Sequence, residues 1–118
     1  MYNERRKNII IAEQHIRNCA AKNKLRFSRH AIDKMRALCI RHEQVFECAI
    51  HGRFIERQYH GREIKLVFQE ATSANPEYYV VIAASIPIPE VVTVCTKLEE
   101  VWEILNGIIK RKWERGGE

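Results

Sequence analysis

Cys39, His42, Cys48 and His51 carry metal-ligand side chains at C-x2-H-x5-C-x2-H spacing. Thiolate and imidazole are the ligands of tetrahedral zinc, and both short spacers fit such a site. The surrounding periodicity argues against it. A helix over 42–51 turns by about 100° per residue, which places His42 with Val45 and Ala49 and points Cys48 and His51 nearly the other way. One ion cannot gather all four on an intact helix, so no metal and no cofactor is expected.

A second set centres on His30. Metal-free RNA cleavage needs a base for the 2′-hydroxyl, cations for the phosphate and an acid for the leaving oxygen. Histidine titrates near neutrality and is the first candidate for acid/base work. On a helix over 29–39, His30 lies about 140° from the apolar centre at Ala31, Met35 and Cys39. It is therefore either catalytic or a hydrogen-bonding residue beneath another helix. Arg29, Lys34 and Arg36 on the same helix are candidate phosphate ligands, as are Arg57, Arg62 and Lys65 on a hairpin further along. Tyr59 and His60 give that hairpin the basic and aromatic mixture of RNA-binding surfaces. The sequence has no P-loop, no GxGxxG and no Ser-His-Asp arrangement, which removes nucleotide-binding and triad-hydrolase chemistry.

These residues need elements to position them. Ile9, Ala12, Ile16, Cys19 and Ala20 form the stripe of an amphipathic helix over 4–22. Ser28 is a suitable N-cap for the helix over 29–39, and Gly52 stops a third helix over 42–51. The period then changes to two. Strands are predicted at 54–59 and 63–69 around His60-Gly61-Arg62, then at 78–84 and 91–95. Leu98, Val101, Trp102, Leu105, Ile108, Ile109 and Trp113 keep 3.6-residue spacing, with acids before and bases after, which predicts a C-terminal amphipathic helix docked on the chain's own sheet, with a homodimer contact along it as the alternative. The fold class is α+β: N-terminal helices on a four-stranded antiparallel sheet, followed by that helix, as one domain over 1–118.

The chain has 118 residues and a net charge of +5. Residues 1–29 hold eight of the twenty Lys and Arg against two acids, a local +6, and residues 30–118 balance to −1. A segregated positive segment suits a polyanion or an acidic protein. The apolar run at 78–89 is too short to span a bilayer, and Ile9–Ala12 is too short for a secretory signal. A cytoplasmic protein with reduced cysteines and no membrane partner is expected.

The segment Phe27-Ser28-Arg29-His30-Ala31-Ile32-Asp33-Lys34-Met35 resembles the F-S-x-H-A-x-x-R-M signature of a small prokaryotic family, a domain of unknown function. Further counterparts are Cys39-Ile40 for its R-G-I, Val45 to Gly52, Phe54-Ile55-Glu56, Tyr79 to Ala83 and Val92-Thr93-Val94-Cys95. The resemblance covers about 25–96, between a basic N-terminal helix (1–24) and a C-terminal helix and tail (97–118). Lys34 stands where the family has Arg, Cys39 where Gly is common, and Cys95 where it ends in Tyr. That family is similar to the RelE, ParE and BrnT toxins. The resemblance implies a RelE/BrnT-like fold and a metal-independent ribonuclease of a toxin–antitoxin pair, with His30 as acid/base group and an antitoxin as partner. The alternative is a non-catalytic RNA-binding or protein-interaction module on the same fold.

Overall fold

The computed structural model describes residues 4–60, 63–70, 76–96, 102–105 and 108–111. The element order is α1 (Glu4–Ala21), β1 (Arg26–Phe27), α2 (Arg29–Leu38), α3 (His42–His51), β2 (Arg53–His60), β3 (Glu63–Gln69), β4 (Tyr78–Ala83), β5 (Glu90–Thr96), β6 (Trp102–Leu105) and β7 (Ile108–Arg111). Among the described residues, no helix is long and apolar enough to cross a membrane.

Each helix ends where its sequence allows. Asn23 takes φ 64° after α1, and the Lys24 N–H reaches back to the Cys19 carbonyl at 2.8 Å. Cys39 takes φ 57° after α2, with the Ile40 N–H on the Met35 carbonyl at 2.9 Å. Both are left-handed closures that satisfy orphan carbonyls of the last turn. Asn tolerates that conformation, whereas Cys occupies it against its Cβ. At the start of α3, the Gln44 Oε1 accepts from the Arg41 N–H at 2.8 Å.

The sheet is five-stranded and mixed, in the order β1-β5-β4-β3-β2. Strands β2 to β5 form the expected antiparallel meander. The four-stranded, all-antiparallel expectation is corrected by β1, which pairs parallel to β5 through Arg26 N–H to Pro89 O at 2.9 Å and Ser28 N–H to Val91 O at 3.0 Å. Two residues are too few to show strand periodicity, and parallel pairing to a distant strand leaves no local signal.

All three helices cover one face of the sheet. Ile16, Ala31, Met35, Val45 and Ala49 meet Leu66, Phe68, Val80, Ile82, Val91 and Val94 in one core. On the opposite face Val67 and Val81 are paired across β3 and β4 and are buried. There the expected C-terminal helix is replaced, at the described residues 102–105 and 108–111, by the antiparallel pair β6–β7. Asn106-Gly107 between the paired segments is the dipeptide most favoured in two-residue hairpin connections. Ile104, Ile108 and Ile109 add β-branching, and together these features outweigh the helical spacing. The buried Gln69 side chain accepts from the Ile109 N–H at 2.7 Å, fixing β7 to this face. The apolar stripe expected to dock on the sheet as a helix, or alternatively to form a homodimer contact, has no helix to lie on at these positions. Leu98, Val101 and Trp113 fall outside the described residues.

A polar junction joins α1, α3 and the start of β2. Arg17 donates to the carbonyls of Ile50 at 2.9 Å, Gly52 at 2.8 Å and Ala49 at 3.3 Å, and to Glu13 Oε2 at 2.9 Å. Its guanidinium carbon lies 4.9 Å from the centre of the Phe68 ring. A cation on the last carbonyls of a helix is favoured by their hydrogen-bonding capacity and by the helix dipole. Directly beneath, a Cβ on Gly52 would come within 2.4 Å of both the Cys48 and Gln69 carbonyl oxygens. Gly52→Ala is therefore expected to lower stability by about 2 kcal/mol, read as a lower urea midpoint at unchanged slope. Arg17→Lys keeps the charge but loses the planar fork, and is expected to cost about 2 kcal/mol. Glu13→Gln, which breaks only a partly exposed pair, should cost about 0.5 kcal/mol in the same titration.

Candidate functional site

The segment 27–35 shows a division of labour. The Phe27 ring lies 4.6 Å from that of His42 and 6.0 Å from that of Phe46. Ser28 caps α2, its Oγ accepting from the Ala31 N–H at 3.0 Å, and the same hydroxyl donates to the Val92 carbonyl of β5 at 2.9 Å. Ala31 and Met35 are buried in the core. Ser28, Ala31 and Met35 thus serve the α2–β5 contact and the Phe27 ring packs on α3, while Arg29 and His30 are exposed in the first turn of α2. Because α2 packs on β5 and α1 on α3, His30 lies open to solvent and not beneath α1.

The basic candidates divide between two places. Arg29 and Arg36 are exposed on α2, Lys34 is partly buried there, and Asp33 is exposed among them. Lys22, Lys24 and Arg26 are exposed on the connection from α1 through β1, so an open cationic surface runs from residue 22 into α2. Arg57 lies on the opposite edge strand, β2, facing the helix side with Leu66. Three strand spacings, about 14 Å, separate β2 from β5. Lys65 points to the hairpin side and lies 3.7 Å from Glu63. Arg62 falls outside the described residues, as do the side chains of Arg5, Arg6, Lys7, Tyr59 and His60. The structure brings Arg29, His30, Lys34 and Arg36 together on one helix and does not bring Arg57 or Lys65 to them.

A further constellation lies on α1. A groove of about 660 Å³ runs between that helix and the ends of β3 and β4, lined by Ile11, Ala12, His15, Glu63, Ile64 and Ile86 among others. His15 Nε2 is 2.8 Å from the Ser85 carbonyl, and its Nδ1 is 3.7 Å from Cys19 Sγ. The i, i+4 spacing of His15 and Cys19 is visible in the sequence. The carbonyl that orients the ring comes from 70 residues away, and nothing local announces it.

The Cys39, His42, Cys48 and His51 set is dispersed: Cys48 is buried and the other three are exposed. Among the described residues, no group of three or more His, Cys, Asp or Glu is placed to hold a metal. Cys48 is instead hydrogen-bonded to Tyr78. Burial pushes its thiol up from 9.0 to about 12, opposed by that hydrogen bond and reinforced by the charges of Glu70 and Glu47. Burial likewise raises the Tyr78 hydroxyl, with Cys48 and Glu70 adding to the effect.

Fold and site together define an α+β protein with helices on one face of a mixed sheet, a hairpin on the other and a cationic edge at β1–α2. No family model matches the chain, and no curated protein or solved structure matches it either.

The Cys48–Tyr78 pair has a pH signature. Below about pH 8 both groups stay protonated folded or unfolded and add no pH dependence. As pH rises from 9.0 towards 12, the unfolded chain releases the Cys48 proton while the fold retains it, so stability falls. The drop in urea midpoint between about pH 8 and about pH 10.5 should be smaller in Cys48→Ala than in the unaltered chain. Equal drops would remove this role from the thiol.

Proposed function

We propose that the chain is an RNA-binding protein of the toxin-like α+β class, gripping phosphates with the surface from Lys22 to Arg36. The observation that carries this reading is the run of exposed Lys22, Lys24, Arg26, Arg29 and Arg36 at the β1–α2 edge. Arginine forks there meet phosphate oxygens two at a time, and the lysines add charge that displaces counterions. An acidic partner of antitoxin type would cover the same face. The family resemblance is supported by Cys39, whose left-handed conformation falls where that family commonly carries Gly, the residue that adopts it without strain.

A second reading, RNA cleavage with His30 as the acid/base group, is favoured by one specific observation. Phe27, Ser28, Ala31 and Met35 of the signature all serve packing or capping, whereas His30 is exposed beside Arg29. A titratable ring beside cations is the pairing that metal-free phosphodiester cleavage uses.

Binding of a single-stranded RNA oligonucleotide, followed by fluorescence anisotropy across a salt series, tests the first reading. Replacing both Arg26 and Arg29 by Glu is expected to weaken binding at least about tenfold and to flatten the log–log salt slope by more than one unit. Absence of binding at low salt would sink it. Incubating total RNA with the purified chain tests the second reading. Cleavage that disappears in His30→Ala while binding survives establishes it, and intact RNA overturns it.

A further inference from the structure

The groove along α1 ends at His15, and on the next turn stands a thiol. Cys19 Sγ is 3.7 Å from His15 Nδ1 and 3.9 Å from the Pro87 carbonyl. The other ring nitrogen, Nε2, is held at 2.8 Å by the Ser85 carbonyl. A carbonyl oxygen only accepts, so Nε2 carries the ring proton and the lone pair of Nδ1 faces the sulfur. Nucleophile, base and a group fixing the base's tautomer are the three parts of an activated thiol. The remaining cysteines differ. Cys48 is buried, Cys39 is exposed at the C-cap of α2, and Cys95 lies near Thr93 on β5.

The charge around Cys19 is also set by the fold. The backbone N–H groups of Lys22 and Lys24 both bond to the Cys19 carbonyl, at 3.0 and 2.8 Å. Two exposed lysines therefore stand in the turn that follows Cys19 and closes α1. An anionic reagent is drawn to this turn and a neutral one is not.

We propose that Cys19 is a modification site that forms a mixed disulfide with a small anionic disulfide of the glutathione type. In the exchange, Cys19 Sγ attacks one sulfur of the reagent while its proton passes to His15 Nδ1. A new S–S bond forms, the reagent's own S–S bond breaks, and the leaving thiolate takes the proton back from His15. One disulfide is consumed and one is made, so no further oxidant enters. The carboxylates of the attached half face Lys22 and Lys24. The proposal is independent of RNA binding.

The test treats the full chain with oxidised glutathione near neutral pH and follows each cysteine by peptide mass spectrometry. Cys19 is expected to react at least about fivefold faster than the more exposed Cys39, which serves as an internal standard. In His15→Gln the Cys19 rate should fall about tenfold with the Cys39 rate unchanged. A Cys19 rate no higher than that of Cys39, or one indifferent to His15→Gln, overturns the proposal. A second measurement isolates the lysines: in the double variant Lys22→Gln, Lys24→Gln the Cys19 rate should fall at least about threefold with oxidised glutathione and stay unchanged with neutral hydroxyethyl disulfide. An unchanged rate with oxidised glutathione overturns the anionic assignment.

Discussion

One guanidinium holds the molecule's layers in register. Helix α3 ends against the sheet with carbonyls that lack intrahelical partners, and the chain must turn at once into β2. Arg17 reaches from α1 to three of those carbonyls and lies over Phe68 in the core. Because the site is shielded by packing, these charge-assisted bonds are stronger than they would be in water. Gly52 leaves no room for adjustment, since the Cys48 and Gln69 carbonyls crowd the place where a Cβ would stand. The orientation of α1, and with it the groove and the Cys19–His15 pair, follows from this junction.

The opposite face of the sheet is organised by a second polar contact. Gln69 is a buried polar side chain in β3, and it bonds the Ile109 N–H of β7. In an antiparallel pair joined by two residues, the positions next to the connection exchange hydrogen bonds and the following pair does not. Ile109 is in that following pair, opposite Ile104, so its N–H points away from β6 and needs an outside acceptor. Gln69 supplies one.

Much of this was legible in residue spacing. The three N-terminal helices and the strands from β2 to β5 are legible in their apolar patterns: each helix buries one stripe in the core, and β3 and β4 carry the apolar runs of strands buried on both faces. The C-terminal segment shows the limit of that method: Trp102, Leu105, Ile108 and Ile109 satisfy helical spacing, yet 102–105 and 108–111 pair as strands, as the Asn-Gly dipeptide in the sequence between them and the β-branched Ile104, Ile108 and Ile109 favour. Arg17 shows another limit. Read as charge, it is one of eight basic residues in the N-terminal quarter; in the fold its carbonyl acceptors lie 32 to 35 residues away. The signature segment gave the N-cap at Ser28 and the buried Ala31 and Met35, and it placed His30 off the apolar centre. That Arg57 and Lys65 lie on other surfaces depends on strand order, which periodicity does not encode.

The parallel pairing of β1 with β5 also orders assembly in time. Ser28 caps α2 locally but spends its own proton on the carbonyl of Val92, 64 residues later. Arg26 and Ser28 likewise find their main-chain acceptors only at Pro89 and Val91. On a growing nascent chain the antiparallel meander can zip from neighbouring segments, whereas this edge waits for almost the whole sheet to be synthesised. The end of the sheet that carries α2 therefore cannot close before β5 is made.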